Sequence, residues 1–252
     1  MMQLLRLEFR RLLRLKSLYI CTGIMLAMVF LSALSTQMLL SLSGDLLANY
    51  LGSSGIAALL RAFLDSSYEL LIAIFVALSV CEDFEQKTIR VIMSRGHSRK
   101  RIFFAKLLTI SIFSTLIFML VQLVSFGAGS LFFGVGQVVT DRLPTILIAQ
   151  YVTCLAEVTM FFGISYLLRK NGASLAVTIV IPVVVQLVLT LVDISANLGE
   201  GSLSEYWISG NWNSLTYQTV SVEKVTTCLI IAGIYWLIFI GVGLFSAEKR
   251  EV

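Results

Sequence analysis

The feature of this sequence that most constrains its fold is a series of long apolar stretches. A bilayer core about 30 Å thick needs around 20 residues of α-helix at 1.5 Å per residue. A window of that length finds six predicted spans, at residues 18–40, 62–81, 107–131, 143–168, 173–193 and 226–246. None of these stretches alternates like a barrel strand, and no fixed repeat occurs. The sequence therefore predicts an all-α polytopic membrane protein, with one transmembrane domain over residues 1–252.

The composition excludes a soluble globular chain. Hydrophobic residues make up 58% and charged residues 13% of the sequence, against roughly 45–50% and about 25% in soluble domains. The net charge of +4 is modest, and a nucleic-acid binder would need its bases gathered on one polar face. We therefore expect a lipid bilayer, and no nucleic acid, as the surroundings of this chain.

The positions of the basic residues predict the topology. The second stretch is the weakest because Asp65 and Glu69 interrupt it. With six spans, however, 16 of the 19 Lys and Arg residues lie on one side, as the positive-inside rule requires of the cytoplasmic side. Without the second span, the basic segment 82–106 would lie opposite the basic N-terminus. Both termini are thus expected in the cytoplasm, at a bacterial cytoplasmic membrane.

The N-terminal segment resembles an interfacial helix. Its residues Arg6, Arg10 and Arg14 follow each other at helical spacing, as expected for a polar face at the membrane surface. The apolar residues expected on the opposite side are Leu5, Phe9 and Leu12. The following apolar run, 18–40, is longer than a signal-peptide core of 7–15 residues, which favours a retained span over cleavage near residues 32–35.

The cysteines predict neither disulfides nor a metal site. The four of them are far apart in apolar stretches, without a CxxC pair, and the chain has one histidine, His97. Small apolar packing in membrane helices is the ordinary role of such cysteines. They are Cys21, Cys81, Cys154 and Cys228.

Four polar or helix-breaking residues inside the predicted spans are candidates for a translocation path or an interface. A carboxylate near the middle of a span costs roughly 2.5–3.5 kcal/mol on insertion scales, so Glu69 and Glu157 should face the bundle interior or a partner. Pro182 removes a backbone hydrogen bond, and Gln186 follows on the same helix face. For each residue a structural role remains the alternative to a role in transport.

The segment 194–225, predicted on the external side, carries four aromatic residues among Gly, Ser and Asn. Aromatic residues with a polar end are typical of the headgroup boundary. Interfacial anchoring is one interpretation, and a re-entrant gate over an exit path is the other. The residues are Tyr206, Trp207, Trp212 and Tyr217.

The connection 82–106 has an ordered pattern. An acidic start is followed by Ile89, Ile92 and Met93 at i, i+3, i+4 spacing, by Gly96 as a helix stop, and by Ser98 as a candidate N-cap. This pattern predicts a short helix across the cytoplasmic face, whose apolar side suits a groove on a soluble partner. A loop that only binds anionic headgroups is the alternative.

The order of residues in this connection resembles a known signature. Glu85, Thr88, Arg90, Gly96, Ser98, Arg99, Ile102 and Lys106 are similar to the pattern that follows the second span in permeases of the ABC type-2 exporter superfamily. The basic N-terminal helix, the six spans and the long connection before the last span also resemble that superfamily. Lys87 departs from the pattern, since a glycine often precedes the threonine.

The resemblance implies that residues near 85–97 form a coupling helix that docks on a separate ATPase, and that two permease chains assemble with two ATPase copies. It implies that ATP and Mg are bound by the ATPase, with no cofactor on this chain, which would be a transport subunit and not an enzyme. The sequence itself has no G-x-x-x-x-G-K-[ST] phosphate loop. The implied coupling residues are Glu82, Asp83, Glu85, Thr88, Arg90, Ile92, Met93, Gly96, Ser98, Arg99 and Lys106.

Two other classes compete with this interpretation. An intramembrane enzyme would need a nucleophile with a base or a metal cluster, yet neither H-E-x-x-H nor G-x-S-x-G occurs. A channel or scaffold that works without an ATPase remains open. For the exporter, the resemblance and the apolar bundle imply an amphipathic or hydrophobic cargo, such as a peptide, an antimicrobial peptide or a lipid.

Overall fold

The computed structural model describes residues 2–43, 54–63, 66–86, 88–94, 98–136, 142–196, 203–216 and 220–249. Every regular element in these residues is helical, apart from turns. The helices are α1 (Met2–Leu12), α2 (Lys16–Ser43), α3 (Gly55–Arg61), α4 (Ser66–Glu85), α5 (Thr88–Ser94), α6 (Arg99–Phe133), α7 (Leu143–Leu168), α8 (Asn171–Ser195), a 3-10 turn (Leu203–Tyr206), α9 (Ile208–Ser214) and α10 (Val222–Lys249).

Five helices, α2, α6, α7, α8 and α10, are long and apolar enough to cross a membrane. The prediction of an all-helical fold is thus confirmed for the described residues, the five apolar helices are consistent with a membrane protein, and each of them contains one predicted span. Helix α4 forms over most of the second predicted span but is not among the five. It carries four acidic residues in 20, so the sixth crossing stays a prediction.

Helix α7 is at the centre of the bundle, with 72% of its most apolar stretch buried. Gly163 lets α10 approach closely, because a Cβ atom there would lie 2.9 Å from the carbonyl oxygen of Phe239. Near the C-terminal end of α7, the Phe103 ring packs at steep angles on Phe162 and Tyr166, with centroids 5.2 and 5.1 Å apart. Such close packing is what holds helices together where lipid replaces water.

The turn between α7 and α8 is very tight. Arg169 adopts a left-handed conformation with φ of 60°, and its amide donates to the carbonyl oxygen of Ser165 at 3.0 Å, which ends α7. Its guanidinium donates to the carbonyl oxygen of Ser246 at 2.8 Å and lies 5.2 Å from the Phe84 ring centroid. These contacts hold a conformation that is unfavourable for a residue with a Cβ atom.

Two short helices in the connections, α3 and α9, are fixed to the bundle by Gln150 of α7. The Gln150 amide nitrogen donates to the carbonyl oxygens of Leu60 at 2.9 Å and Leu215 at 3.1 Å. Its oxygen accepts from the Gln122 side chain at 3.1 Å. Gln150 is 1% exposed. Carbonyls at helix ends need a partner when water is excluded, and one side chain supplies it to both helices.

Helix α1 packs differently from the prediction. Its buried residues are Leu4, Glu8 and Leu12, whereas Leu5, Phe9 and Leu12 were expected on the apolar face. Phe9 is 38% exposed and contacts the Phe113 ring with centroids 4.8 Å apart. The physical reason is that Glu8 is buried beside Arg11, at 3.3 Å, so that a charged residue takes the place expected for an apolar one.

The four cysteines are unpaired and buried. Cys21 and Cys154 pack in the main hydrophobic core, and Cys228 packs in a second cluster around Leu60, Ile146 and Leu215. Their role in the described structure is therefore that of small buried side chains.

Candidate functional site

A cavity of about 410 Å³ lies between α4, α7, α8 and α9. It brings together, from four different helices, five residues that were predicted for a path or gate. We call it the acidic cavity, because two glutamates line it. The five residues are Glu69, Glu157, Pro182, Gln186 and Trp212.

Glu157 is the more deeply buried glutamate, with 1% exposure. It lies about 21 Å along α7 from the start of that helix. Its Oε1 atom accepts a hydrogen bond from Nε1 of Trp212 at 2.7 Å. The indole also stacks on Phe63, with ring centroids 5.3 Å apart. Trp212 is therefore buried in the bundle, which differs from the interfacial anchoring that was one interpretation of this residue.

Glu69 accepts hydrogen bonds from the hydroxyl of Ser209, at 2.9 and 3.0 Å to its two carboxylate oxygens. Ser209 and Trp212 are three residues apart in α9, so both lie on one side of that helix. The short helix thus presents one donor to each glutamate. The consequence is that α9 and the two acidic side chains form one hydrogen-bonded unit.

Helix α8 supplies the opposite wall of the cavity. Pro182 is buried within α8, which runs through it as one helix, and Gln186 lines the same cavity. The prediction that these two residues share a face is confirmed. The Gln186 side-chain oxygen is buried and accepts no hydrogen bond from the described residues. The Thr190 hydroxyl, also in the lining, donates to the Gln186 backbone oxygen at 2.8 Å.

The charges of the cavity lining are unbalanced. Two carboxyl groups face it, and the described residues that line it include no lysine, arginine or histidine. A buried charge without a partner costs several kcal/mol, so such groups are neutralised by a proton or by a bound cation. The described residues hold no group of three or more His, Cys, Asp or Glu side chains suited to a metal ion.

The other predicted aromatic residues lie elsewhere. Trp207 is half-buried and packs edge-on against Tyr235 of α10, with centroids 5.8 Å apart. Tyr206 is 53% exposed. Tyr217 lies outside the described residues. Anchoring at a membrane surface remains the prediction for Trp207 and Tyr206.

At the predicted cytoplasmic end, four buried or partly buried charges meet in what we call the ion cluster, defined as Glu8, Arg11, Asp83 and Lys106. Asp83 pairs with both Arg11 and Lys106. Lys106 is 2% exposed and also donates to the carbonyl oxygen of Val80 at 2.9 Å. The ion cluster ties α1, α4 and α6 together, so Asp83 and Lys106 have structural roles within this chain.

Other residues predicted to face an ATPase also bind within the chain. The Glu85 carboxylate accepts from the side chain and amide of Asn171, at 2.6 and 3.1 Å, at the start of α8. The Arg99 guanidinium donates to the backbone oxygen of Glu248 at 3.3 Å. The Glu82 carboxylate accepts from Gln86 at 2.9 Å. Glu85 thus connects α4 with α8, and Arg99 connects α6 with α10, whereas the Glu82 bond is local.

The short helix predicted in this connection is present as α5, but its apolar side is not free. Ile89 and Ile92 are 3% and 8% exposed and pack with Leu4, Ile102 and Ala105 of α1 and α6. The expectation that this side enters a groove on a partner is therefore wrong. In water, these apolar side chains are more stable against the chain's own helices than left exposed.

The remaining predicted residues lie within or beside this short helix. Thr88 and Met93 are half-buried, Met93 packs against the same cluster as the two isoleucines, and Arg90 lies within α5. Ser94, which was not among the predicted residues, is exposed at the last position of α5. Ser98 occupies the predicted N-cap position of α6, without a side-chain capping bond. Gly96 lies outside the described residues.

Three important residues were missed in the sequence. Gln150 and Ser209 are ordinary polar residues in apolar or loop-like surroundings, and Glu8 is one acid in a basic segment. A lone amide inside a predicted span was the available signal for Gln150, because such a group needs partners in lipid. The partners themselves, in distant segments, have no counterpart in the local pattern.

The chain belongs to the family described as protein of unknown function (DUF2705), which matches residues 24–252. No curated protein and no solved structure matches it. The family description assigns no activity.

Proposed function

We propose that this member of the DUF2705 family is the membrane-spanning permease subunit of an ATP-driven exporter of the ABC type-2 kind. In this proposal the chain forms the translocation path, and a separate subunit binds ATP with Mg and hydrolyses it. The cargo is amphipathic or hydrophobic, as a peptide, an antimicrobial peptide or a lipid-like molecule would be. The chain lies in a bacterial cytoplasmic membrane and has six spans, of which α4 is the second, with both termini in the cytoplasm.

The observation that carries the proposal is the placement of α5. This seven-residue helix lies between two long helices, α4 and α6, and its buried isoleucines rest against α1 and α6. A partner that pushes or pulls on the outer face of α5 would displace those helices with it, because close-packed contacts transmit motion. The face of α5 that carries the exposed Ser94 is the proposed docking surface.

The acidic cavity is the proposed part of the translocation path in each chain. It lies within the bundle, and α9 closes one side of it through Ser209 and Trp212. Movement of α9 would break both hydrogen bonds and expose both glutamates. We therefore take α9 as the gate, in agreement with the second interpretation of the aromatic segment.

Two ATPase copies and a second permease chain complete the proposed assembly. Helices α2, α8 and α10 carry long rows of exposed apolar side chains, among them Leu31, Ile194 and Leu237 at 62%, 68% and 67% exposure. In a membrane protein such surfaces face lipid or another membrane helix. They leave room for a second permease of the same or a related sequence.

The test is co-purification from the native membrane in mild detergent, with identification of the associated proteins by mass spectrometry. Ser94→Trp places a bulky ring on the outer face of α5 and leaves its buried isoleucines in place. The matched control is Ser35→Trp, at an exposed position of α2. We expect a nucleotide-binding subunit with the wild type and the control, and its loss with Ser94→Trp.

The result that contradicts the proposal is the absence of any ATPase under conditions that keep other membrane complexes intact. In that case a channel or scaffold without an ATPase becomes the better interpretation. Retention of the ATPase by Ser94→Trp would move the docking surface away from α5.

A further inference from the structure

We propose that the acidic cavity binds the primary ammonium group of an amphiphilic ligand, a molecule that joins one such cation to an apolar or aromatic body. As a statement of cargo class this rests on the proposed function, whereas the binding itself involves only this chain. The cavity volume of about 410 Å³ falls within the range of roughly 300–1,000 Å³ that is usual for small-molecule sites.

The first argument is charge. Glu69 and Glu157 face one cavity from α4 and α7, and no basic side chain is among its described lining residues. In the ion cluster of the same protein, by contrast, each acid has a base beside it. A bound cation would supply the missing opposite charge in surroundings of low dielectric, where an ion pair is strongest.

The second argument is the balance of hydrogen-bond donors and acceptors. The donors of Ser209, Trp212 and Thr190 are already used within the chain. The side-chain oxygen of Gln186 is a buried acceptor without a donor among the described residues. This oxygen and the two carboxyl groups can accept from a ligand that brings N–H donors. A primary ammonium group has three of them, whereas a quaternary ammonium group has none.

The third argument is the nature of the walls. Phe63, Tyr68 and Trp212 supply aromatic surface, to which both apolar groups and cations bind. On the α8 side the lining residues Val183, Leu187 and Leu191 are 51%, 56% and 57% exposed. The cavity therefore borders the apolar surface of the bundle, which suits a ligand with an apolar body.

The experiment is a binding titration with the purified full chain in phosphatidylcholine nanodiscs. Trp207→Phe and Trp236→Phe leave Trp212 as the only tryptophan of the three in the sequence, so its fluorescence reports on the cavity. The probes are 4-phenylbutylamine, the neutral 4-phenylbutanol and the trimethylated form of the amine. We expect saturable binding of the amine, with an affinity at least about tenfold above that of both analogues.

The variants assign this preference to the glutamates. Glu157→Gln and Glu69→Gln should each lower the affinity for the amine by about tenfold or more and leave that for the alcohol unchanged. Unchanged alcohol binding shows that the variant cavity is still folded. Glu223→Gln, an exposed position in α10, is the matched control and should change neither affinity.

Equal affinities for the amine and the alcohol, or undiminished amine binding in both glutamine variants, would overturn the inference. Equal binding of the trimethylated form would overturn the assignment to a primary ammonium group. Binding in nanodiscs needs no ATPase. A chain that binds the amine but co-purifies with no ATPase would keep this inference and refute the exporter.

Discussion

The ion cluster and the acidic cavity bury acidic side chains in opposite ways. In the ion cluster, Asp83 and Glu8 are accompanied by Arg11 and Lys106, so acids and bases are equal in number. In the acidic cavity, two glutamates have only uncharged donors, the hydroxyl of Ser209 and the indole of Trp212. Acidic residues therefore pair with bases between helices at one site and have no base beside them at the other.

The comparison shows that burial alone does not indicate whether a carboxyl group has a structural or a binding role. The side chains that surround the group do indicate it. Asp83 and Glu157 have the same exposure, 1%. Only Asp83 has lost its solvation in exchange for ion pairs, which makes its removal costly. Glu157 has no such compensation, so a neutral replacement should cost little stability and chiefly affect binding.

The largest effect is expected when the ion cluster is broken. Asp83→Ala leaves Lys106 and Arg11 without their shared carboxylate, and we expect a loss of about 3–5 kcal/mol in the free energy of unfolding. Denaturant or thermal unfolding in detergent micelles measures it. The control replaces all four residues together, as Asp83→Leu, Lys106→Met, Arg11→Met and Glu8→Leu, so that no buried charge is left without a partner, and should recover most of the loss. An unfolding midpoint unchanged in Asp83→Ala would refute the structural role of the ion cluster.

A smaller loss is expected at the polar contact that holds α3 and α9. Gln150→Leu leaves the carbonyl oxygens of Leu60 and Leu215 without a donor, at a cost of about 1–3 kcal/mol. In Gln150→Leu, amide hydrogen exchange in α3 and α9 should be faster than in the wild type, and exchange in α7 should change less.

The matched control is Gln122→Leu, which removes a bond to Gln150 and leaves both carbonyl bonds in place. It should cost less than half as much as Gln150→Leu. Equal exchange rates in wild type and Gln150→Leu would show that these helices are held by apolar packing alone.

Replacing an acid of the acidic cavity should not lower the free energy of unfolding, in contrast to replacing an acid of the ion cluster. Glu157→Gln keeps an oxygen that accepts from the Trp212 indole and removes the ionisable group. We expect unchanged stability or a gain of up to about 1 kcal/mol, since a carboxyl group is costly in a membrane helix. Thermal unfolding of Glu157→Gln and Asp83→Ala in the same detergent measures the difference between their stabilities. A destabilisation as large as that of Asp83→Ala would show that the two sites do not differ in the way we describe.

The smallest effect is expected for an exposed ion pair at the same end as the ion cluster. Lys100 and Glu248 approach to 2.6 Å with side chains 64% and 50% exposed. Lys100→Ala should change the free energy of unfolding by no more than about 0.5 kcal/mol. The same unfolding assay provides the value. A loss above 1 kcal/mol at this site, which is large for an exposed pair, would contradict the view that burial and pairing together set the cost.

The helices were predictable because their signal is local. The predicted span 143–168 coincides with α7, and the predicted short helix in the connection 82–106 is present as α5. Where a prediction was wrong, a distant contact was the reason. Ile89 and Ile92 were expected to meet a partner, but they pack against helices of the same chain.

The individual residues of the candidate site were predictable from the sequence. Their meeting in one cavity was not. Glu157 and Trp212 are 55 residues apart in the chain, and Glu69 and Ser209 are 140 apart. Each glutamate was recognisable alone, because a carboxyl group inside an apolar span is expensive. That both face one cavity depends on how four helices pack, which periodicity does not encode.

The sequence by itself determined that this chain is a bundle of long apolar helices, because the length and hydropathy of each segment act within that segment. The tertiary structure alone decided which buried charges are paired. Asp83 meets bases from α1 and α6, whereas Glu69 and Glu157 meet only uncharged donors from α9. The physical reason is that the cost of a buried charge depends on atoms a few ångströms away, whatever their distance along the chain.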